Sequence, residues 1–169
     1  MTSSMHLASV PVFQQMLGGL AGVLSKAEAH ATAKGIEPDA LLQARLFPDM
    51  FTLQRQVAIA TDFAVSVSAR LTQAEVPALA DVAPGFAGVQ ARIAQALAIL
   101  EKVPADRFEG SEALDIVLRP GTPKEKRLTG RAYLLSYGLP QFFFHVTTAY
   151  AILRHNGVEV GKKDYMGAY

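Results

Sequence analysis

The chain contains no cysteine. That excludes disulfides, thiolate metal sites and a cysteine nucleophile, and it fits a reducing compartment. There is no surplus of charge either. Sixteen basic residues face fifteen acidic ones, for a formal net charge of +1. Such a balance leaves no electrostatic footprint for nucleic acid or for an anionic membrane surface. The one local excess, Lys124, Lys126 and Arg127, is interrupted by Glu125 and reads as a solvated loop. Long apolar runs are missing as well. No uncharged apolar run reaches the ~20 residues that cross a bilayer as a free helix. The nearest stretch, Leu134 to Leu153, holds Pro140, Gln141, His145 and two threonines. No Lys or Arg precedes the patterned apolar residues of the first twenty positions, so they do not read as a signal peptide. The expectation is a cytoplasmic protein with no nucleic-acid partner and no membrane.

What is present is a chain of 169 residues, half of them hydrophobic and 18% charged. That suits one domain, residues 1–169, with room for a core. Four segments carry helical patterning. In the first, about Ser9 to Lys34, Phe13, Leu17, Leu20, Leu24, Ala27 and Ala31 form one apolar stripe. Gly18 and Gly19 interrupt it and permit a close approach of another helix. Gly35 and Pro38 end it. In the second, about Asp49 to Leu71, Leu53, Val57, Ala60, Ala64, Val67 and Leu71 repeat the spacing. Its opposite face carries Arg55, Ile59, Asp62 and Ser66. Residues 72 to 85 read as a linker. The third segment, about Phe86 to Lys102, is closed by Pro104.

Asp115 to Arg119 and Glu125 to Thr129, around Pro120-Gly121-Thr122-Pro123, predict a small β-hairpin. The fourth helical segment, about Gly130 to Asn156, should kink or restart at Pro140. Beyond Pro140 it is apolar almost all round, which calls for central burial or a partner's surface. The tail, Val158 to Tyr169, reads as polar and glycine-containing. The class is all-α: a four-helix bundle with a hairpin between the third and fourth helices.

Few residues suggest chemistry. There is no glycine-rich phosphate loop, no HExxH and no Ser–His–Asp spacing. His6 and His30 lie near ends and are expected to be exposed. His155 suits the last turn of a helix, where a cation is favoured. His145 stands out, because it lies one turn beyond Gln141 on a largely apolar helix. Gln56 flanks the core stripe of the second segment. Buried polar groups are normally paired, so Gln56, Gln141 and His145 read either as a mutually satisfied network or as a working site. In the second case Tyr137 joins the lining, and His145 is the candidate catalytic acid–base group. Phe143 and Tyr150 point away from the His145 face. With Ile59 they suggest a second apolar surface and a homodimer.

Two stretches are familiar. LPQFFFHVTTAYAILRHNGVEVGKKDYMG, Leu139 to Gly167, and LFPDMFTLQRQVAIATDFA, Leu46 to Ala64, resemble the signatures of a bacterial family of unknown function. That family is placed in the DinB/YfiT-like superfamily. The resemblance implies a four-helix bundle with a mirror variant of up-and-down topology, often dimeric, in a group of which many members are taken for metalloenzymes. Their metal site implies three histidines, one on the second helix and an HxxxH pair on the last. Those positions fall on Gln56, Gln141 and His145. Two amides and one imidazole make a degenerate set, since zinc and nickel prefer imidazole or thiolate. No cofactor is therefore expected, and a divalent metal is the sole candidate. The functional expectation is a small-molecule binder whose site lies between the second and fourth helices. The alternative is a non-catalytic dimeric structural or interaction protein.

Overall fold

The computed structural model describes residues 3–168. Four long helices build the bundle: α1 (Val10–Lys34), α2 (Leu53–Leu71), α3 (Gly85–Glu101) and α4. The last comprises Gly130–Tyr133, one wide turn over Leu134–Gly138, and Leu139–His155. Short helical turns at Ser4–Leu7 and Pro38–Leu42 flank α1. A final short helix, α5, spans Lys162–Met166. The predicted apolar stripes are the core: Phe13, Leu17, Leu20 and Leu24 of α1 and Leu53, Val57, Ala60, Ala64, Val67 and Leu71 of α2 are all buried.

The packing order differs from the chain order. α2 packs mainly on α4 and α3, while α1 packs on α3 and α4. Sequential helices α1 and α2 therefore lie diagonally, as do α3 and α4. Each diagonal crossing uses a long connection, residues 35–52 and 102–129, which a tight turn could not replace.

Two boundaries moved. α2 begins at Leu53 rather than near Asp49. Thr52 is the N-cap, and its Oγ1 accepts from Arg55 N at 3.3 Å. A threonine in extended conformation offers a better first-turn acceptor than the acid three residues earlier. The break expected at Pro140 is instead the wide turn just before it, where Leu139 N donates to Leu134 O, five residues back. Proline has no N–H to give, so one enlarged turn lets the helix continue. Gly138 lies in this turn. A Cβ there would meet Val67 Cγ2 of α2 at 2.8 Å, so glycine sets the close approach of the two helices.

The hairpin forms as predicted. β1 (Asp115–Leu118) pairs antiparallel with β2 (Lys126–Thr129), Asp115 opposite Thr129 and Leu118 opposite Lys126. Ile116 and Leu118 are buried beneath it. Arg119 follows β1 with φ +52°, a left-handed conformation that is uncommon for a residue with a side chain.

The tail departs most from expectation. Val158 and Val160 are buried, and α5 packs along α1. Gln15 Nε2 donates to Met166 O at 3.0 Å, and Lys26 pairs with Asp164. A Cβ on Gly19 would lie 2.7 Å from Tyr165 O, so Gly19 admits the tail rather than another bundle helix, while a Cβ on Gly18 would meet nothing within 4 Å. The first helical segment is also more extensively apolar than its stripe suggests. Ser4–Lys34 is long and apolar enough to cross a membrane, by length and composition, with an 18-residue window of mean hydropathy 1.4. Half of that window is buried against the rest of the protein, as in a core helix.

Candidate functional site

Gln56 and His145 meet in the interior, where α2 and α4 are in close contact. Gln56 is 1% exposed and His145 7%. Gln56 Nε2 donates to Phe51 O at 3.3 Å, at the entry to α2. A backbone carbonyl can only accept, so the amide is oriented with Oε1 inward. That oxygen lies 2.6 Å from His145 Nδ1. Nδ1 therefore carries the proton and donates, which leaves the lone pair of the neutral ring on Nε2. Burial, and secondly the Arg55 guanidinium, push the His145 pKa below the ordinary histidine value. The ring is neutral at pH 7, and its environment opposes the imidazolium form.

Aromatic rings extend the pair towards the hairpin. Phe63 of α2 stacks on His145, centroids 6.1 Å apart at 16°. Phe63 meets Tyr137 edge-on at 6.0 Å, and Tyr137 stacks on Tyr133 at 5.8 Å. The Tyr133 hydroxyl accepts from Arg70 Nη1 at 3.2 Å, and burial raises its pKa despite that guanidinium.

The expected cluster is thus divided. Gln56 and His145 are brought together. Gln141 is half-buried and makes no hydrogen bond to either among the described residues. With Tyr137 it borders open cavities instead. One cleft of about 230 Å³ lies between α2, α4 and the hairpin, lined by Asp62, Phe63, Ser66, Arg70, Tyr137, Leu118 and Arg119. A neighbouring cavity of about 220 Å³ shares Leu118, Arg119 and Tyr137 and adds Lys124, Lys126 and Gln141. The pair itself lines none of these spaces.

Phe63, Arg70 and Arg119 escaped the sequence reading. The first two had a signal: Gln56, Phe63 and Arg70 recur every seven residues, a stripe beside the α2 core. Arg119 had none, because nothing local shows where a hairpin turn will lean. The other histidines are scattered. His155 is exposed and His30 half-buried. His6, expected in solvent, is half-buried against Phe108, centroids 5.3 Å apart, with Nδ1 enclosed and unpartnered.

The three-histidine metal does not fit these residues. No group of three His, Cys, Asp or Glu side chains that could hold a metal ion occurs among the described residues. The one imidazole has a nitrogen committed to Gln56, and an amide oxygen is a weak ligand for the metals in question.

Fold and site together define a DinB-like helical bundle. A solved structure of a DinB family member protein from Shewanella denitrificans is 42% identical, with a TM-score of 0.91 over 97% of this chain and 92% of that one. The family described as a domain of unknown function, DUF1993, matches residues 5–166, and the chain belongs to that family. No curated protein matches it.

Proposed function

We propose that this protein binds a small molecule in the cleft between α2 and α4, roofed by the hairpin. The Gln56–His145 hydrogen bond replaces a metal as the support behind that cleft. The observation that carries this reading is the cleft's wall. Phe63 and Tyr137 present apolar rings from the two helices, while Ser66, Arg70 and Arg119 supply polar groups at its edge. An apolar lining with a few convergent polar groups is the usual make-up of a ligand site. Phe63 in turn rests on His145, so the buried pair holds a lining ring in place. No reaction is assigned, and His145 is a positioning residue in this reading.

A thermal-shift screen against a chemically broad compound set tests it. A ligand at a hundred times its Kd adds about 2.7 kcal/mol of stability. Compounds that raise Tm should lose that effect in Phe63→Ala and Tyr137→Ala, with helical circular dichroism retained. Hits indifferent to both substitutions would move the site elsewhere.

A second reading has its own support. Phe47, Phe51 and Phe144 are 63%, 53% and 55% exposed. Beside them an apolar groove is lined by Leu46, Met50, Phe143 and Phe144. Exposed apolar side chains and a groove of this kind suit a self-complementary homodimer.

A further inference from the structure

We infer that the ligand of this cleft is a small organic anion, a carboxylate or phosphate ester with an apolar body, and that the hairpin is its charge-recognising arm. This rests on the cleft reading above and adds the ligand's chemical class. Two cavities meet at Leu118, Arg119 and Tyr137. Around them stand Arg70 on α2 and Arg119, Lys124 and Lys126 on the hairpin.

What matters is how the neighbouring acids are spent. Asp62 borders the cleft, but its Oδ1 is 2.6 Å from the buried Arg92 Nη2. Glu125 sits between the two lysines in sequence. One of its oxygens accepts from Arg127 Nε at 3.2 Å, the other from Gly121 N at 2.8 Å. Asp115, at the far end of β1, is 2.9 Å from Arg127 Nη1. Arg119, Lys124 and Lys126 have no acidic partner among the described residues, and Arg70 has only the neutral Tyr133 hydroxyl. The three acids are held by Arg92 and Arg127, and with Arg70, Arg119, Lys124 and Lys126 beside them the cations outnumber the acids, which leaves net positive charge over an aromatic floor. An anion gains from the first feature and an apolar body from the second. The planar guanidinium of Arg119 is suited to a bidentate grip on carboxylate or phosphate. Arg119 is also held at φ +52°, where glycine would fit without strain.

The probes are phenyl phosphate, benzoate, benzyl alcohol and inorganic phosphate, titrated into the isotope-labelled full chain and read by amide chemical shifts. Phenyl phosphate and benzoate should shift Leu118, Arg119 and Tyr137, bind at least ~10-fold more tightly than benzyl alcohol, and weaken as salt is raised. Arg119→Gln should weaken them several-fold. Arg119→Gly should do the same while leaving Tm unchanged or higher, which separates lost binding from lost folding. Equal binding of benzyl alcohol would overturn the charge assignment and leave the cleft reading intact. Inorganic phosphate binding as tightly as phenyl phosphate would reduce the arm to an ion-attracting surface and overturn the inference. No shift with any probe at about 10 mM would also overturn it. The cleft itself would then stand or fall on the thermal-shift screen.

Discussion

At His145 two demands coincide: a buried imidazole must be neutral, and its proton needs an acceptor. Gln56 Oε1 supplies the acceptor. Replacing Gln56 with leucine should cost about 1–3 kcal/mol, because Nδ1–H is left buried without a partner. Adding His145→Leu should recover part of that loss, and urea unfolding of both singles and the double reads the coupling. The pH dependence has a definite sign. The folded-state pKa is lowered, so near pH 6 the unfolded chain binds more protons than the folded one. This contribution to stability is present above the unfolded value of ~6.5 and is lost as pH falls from there towards the folded value. Between about pH 7.5 and 5 the Tm of the wild type should fall more than that of His145→Gln, which cannot titrate. Equal slopes would remove His145 from the account. For metal, the expected outcome of elemental analysis on protein purified without added zinc or nickel is well below one equivalent per chain. The sequence made Gln56, Gln141 and His145 conspicuous as polar residues beside apolar stripes. It could not separate them, because a helical wheel gives an angle on one helix and not the partner across the gap. Gln141 shares a helix with His145 and still borders the cavities that Gln56 and His145 do not reach.

The four long helices were legible because their periodicities are long, with glycine or proline closing α1, α3 and α4, and the hairpin because Pro120-Gly121-Thr122-Pro123 is turn chemistry. The ordering of the tail was not. Val158 and Val160 are two apolar residues in a polar run, and two do not make a period. The helix that follows them is seated on α1, where Gly19 leaves room for the backbone of Asp164 and Tyr165. Tyr150, expected to need a partner chain, is covered from within: it meets Tyr165 edge-on at 5.6 Å, and its hydroxyl donates to Val160 O at 3.4 Å. The substitution Gly19→Ala should therefore loosen α5 without unfolding the bundle. Its signature is faster tryptic cleavage at Lys162 and Lys163, with the main thermal transition lowered by about 1–3 kcal/mol equivalent at most. Unchanged cleavage would mean that the tail shifts to accept the methyl group. Lys26→Ala should have little effect by comparison, since exposed ion pairs are worth about 0–1 kcal/mol.

For the molecule as a whole, the homodimer proposal now rests on Phe144, Phe47 and Phe51 rather than on Tyr150. Light scattering at micromolar concentration should give twice the chain mass of 18.1 kDa, reverting to one with Phe144→Asp. A monomer in the wild type would end that reading and leave the cleft untouched. The diagonal placement of successive helices bears on how the chain reaches this state. Only α2 and α3 are neighbours both in sequence and in space; α1 and α4 must each close a long connection before they find their partners. Loop closure of that kind costs chain entropy before contacts repay it. The α2–α3 hairpin is thus the natural nucleus, with Arg92 of α3 donating to Thr61 Oγ1 at 3.0 Å and to Ala80 O in the linker. Substitutions inside that pair should slow folding, whereas substitutions where α1 meets α5 should chiefly hasten unfolding. The order of assembly is written into which helices sit across from one another: the middle of the chain forms first, and its two ends are fastened afterwards.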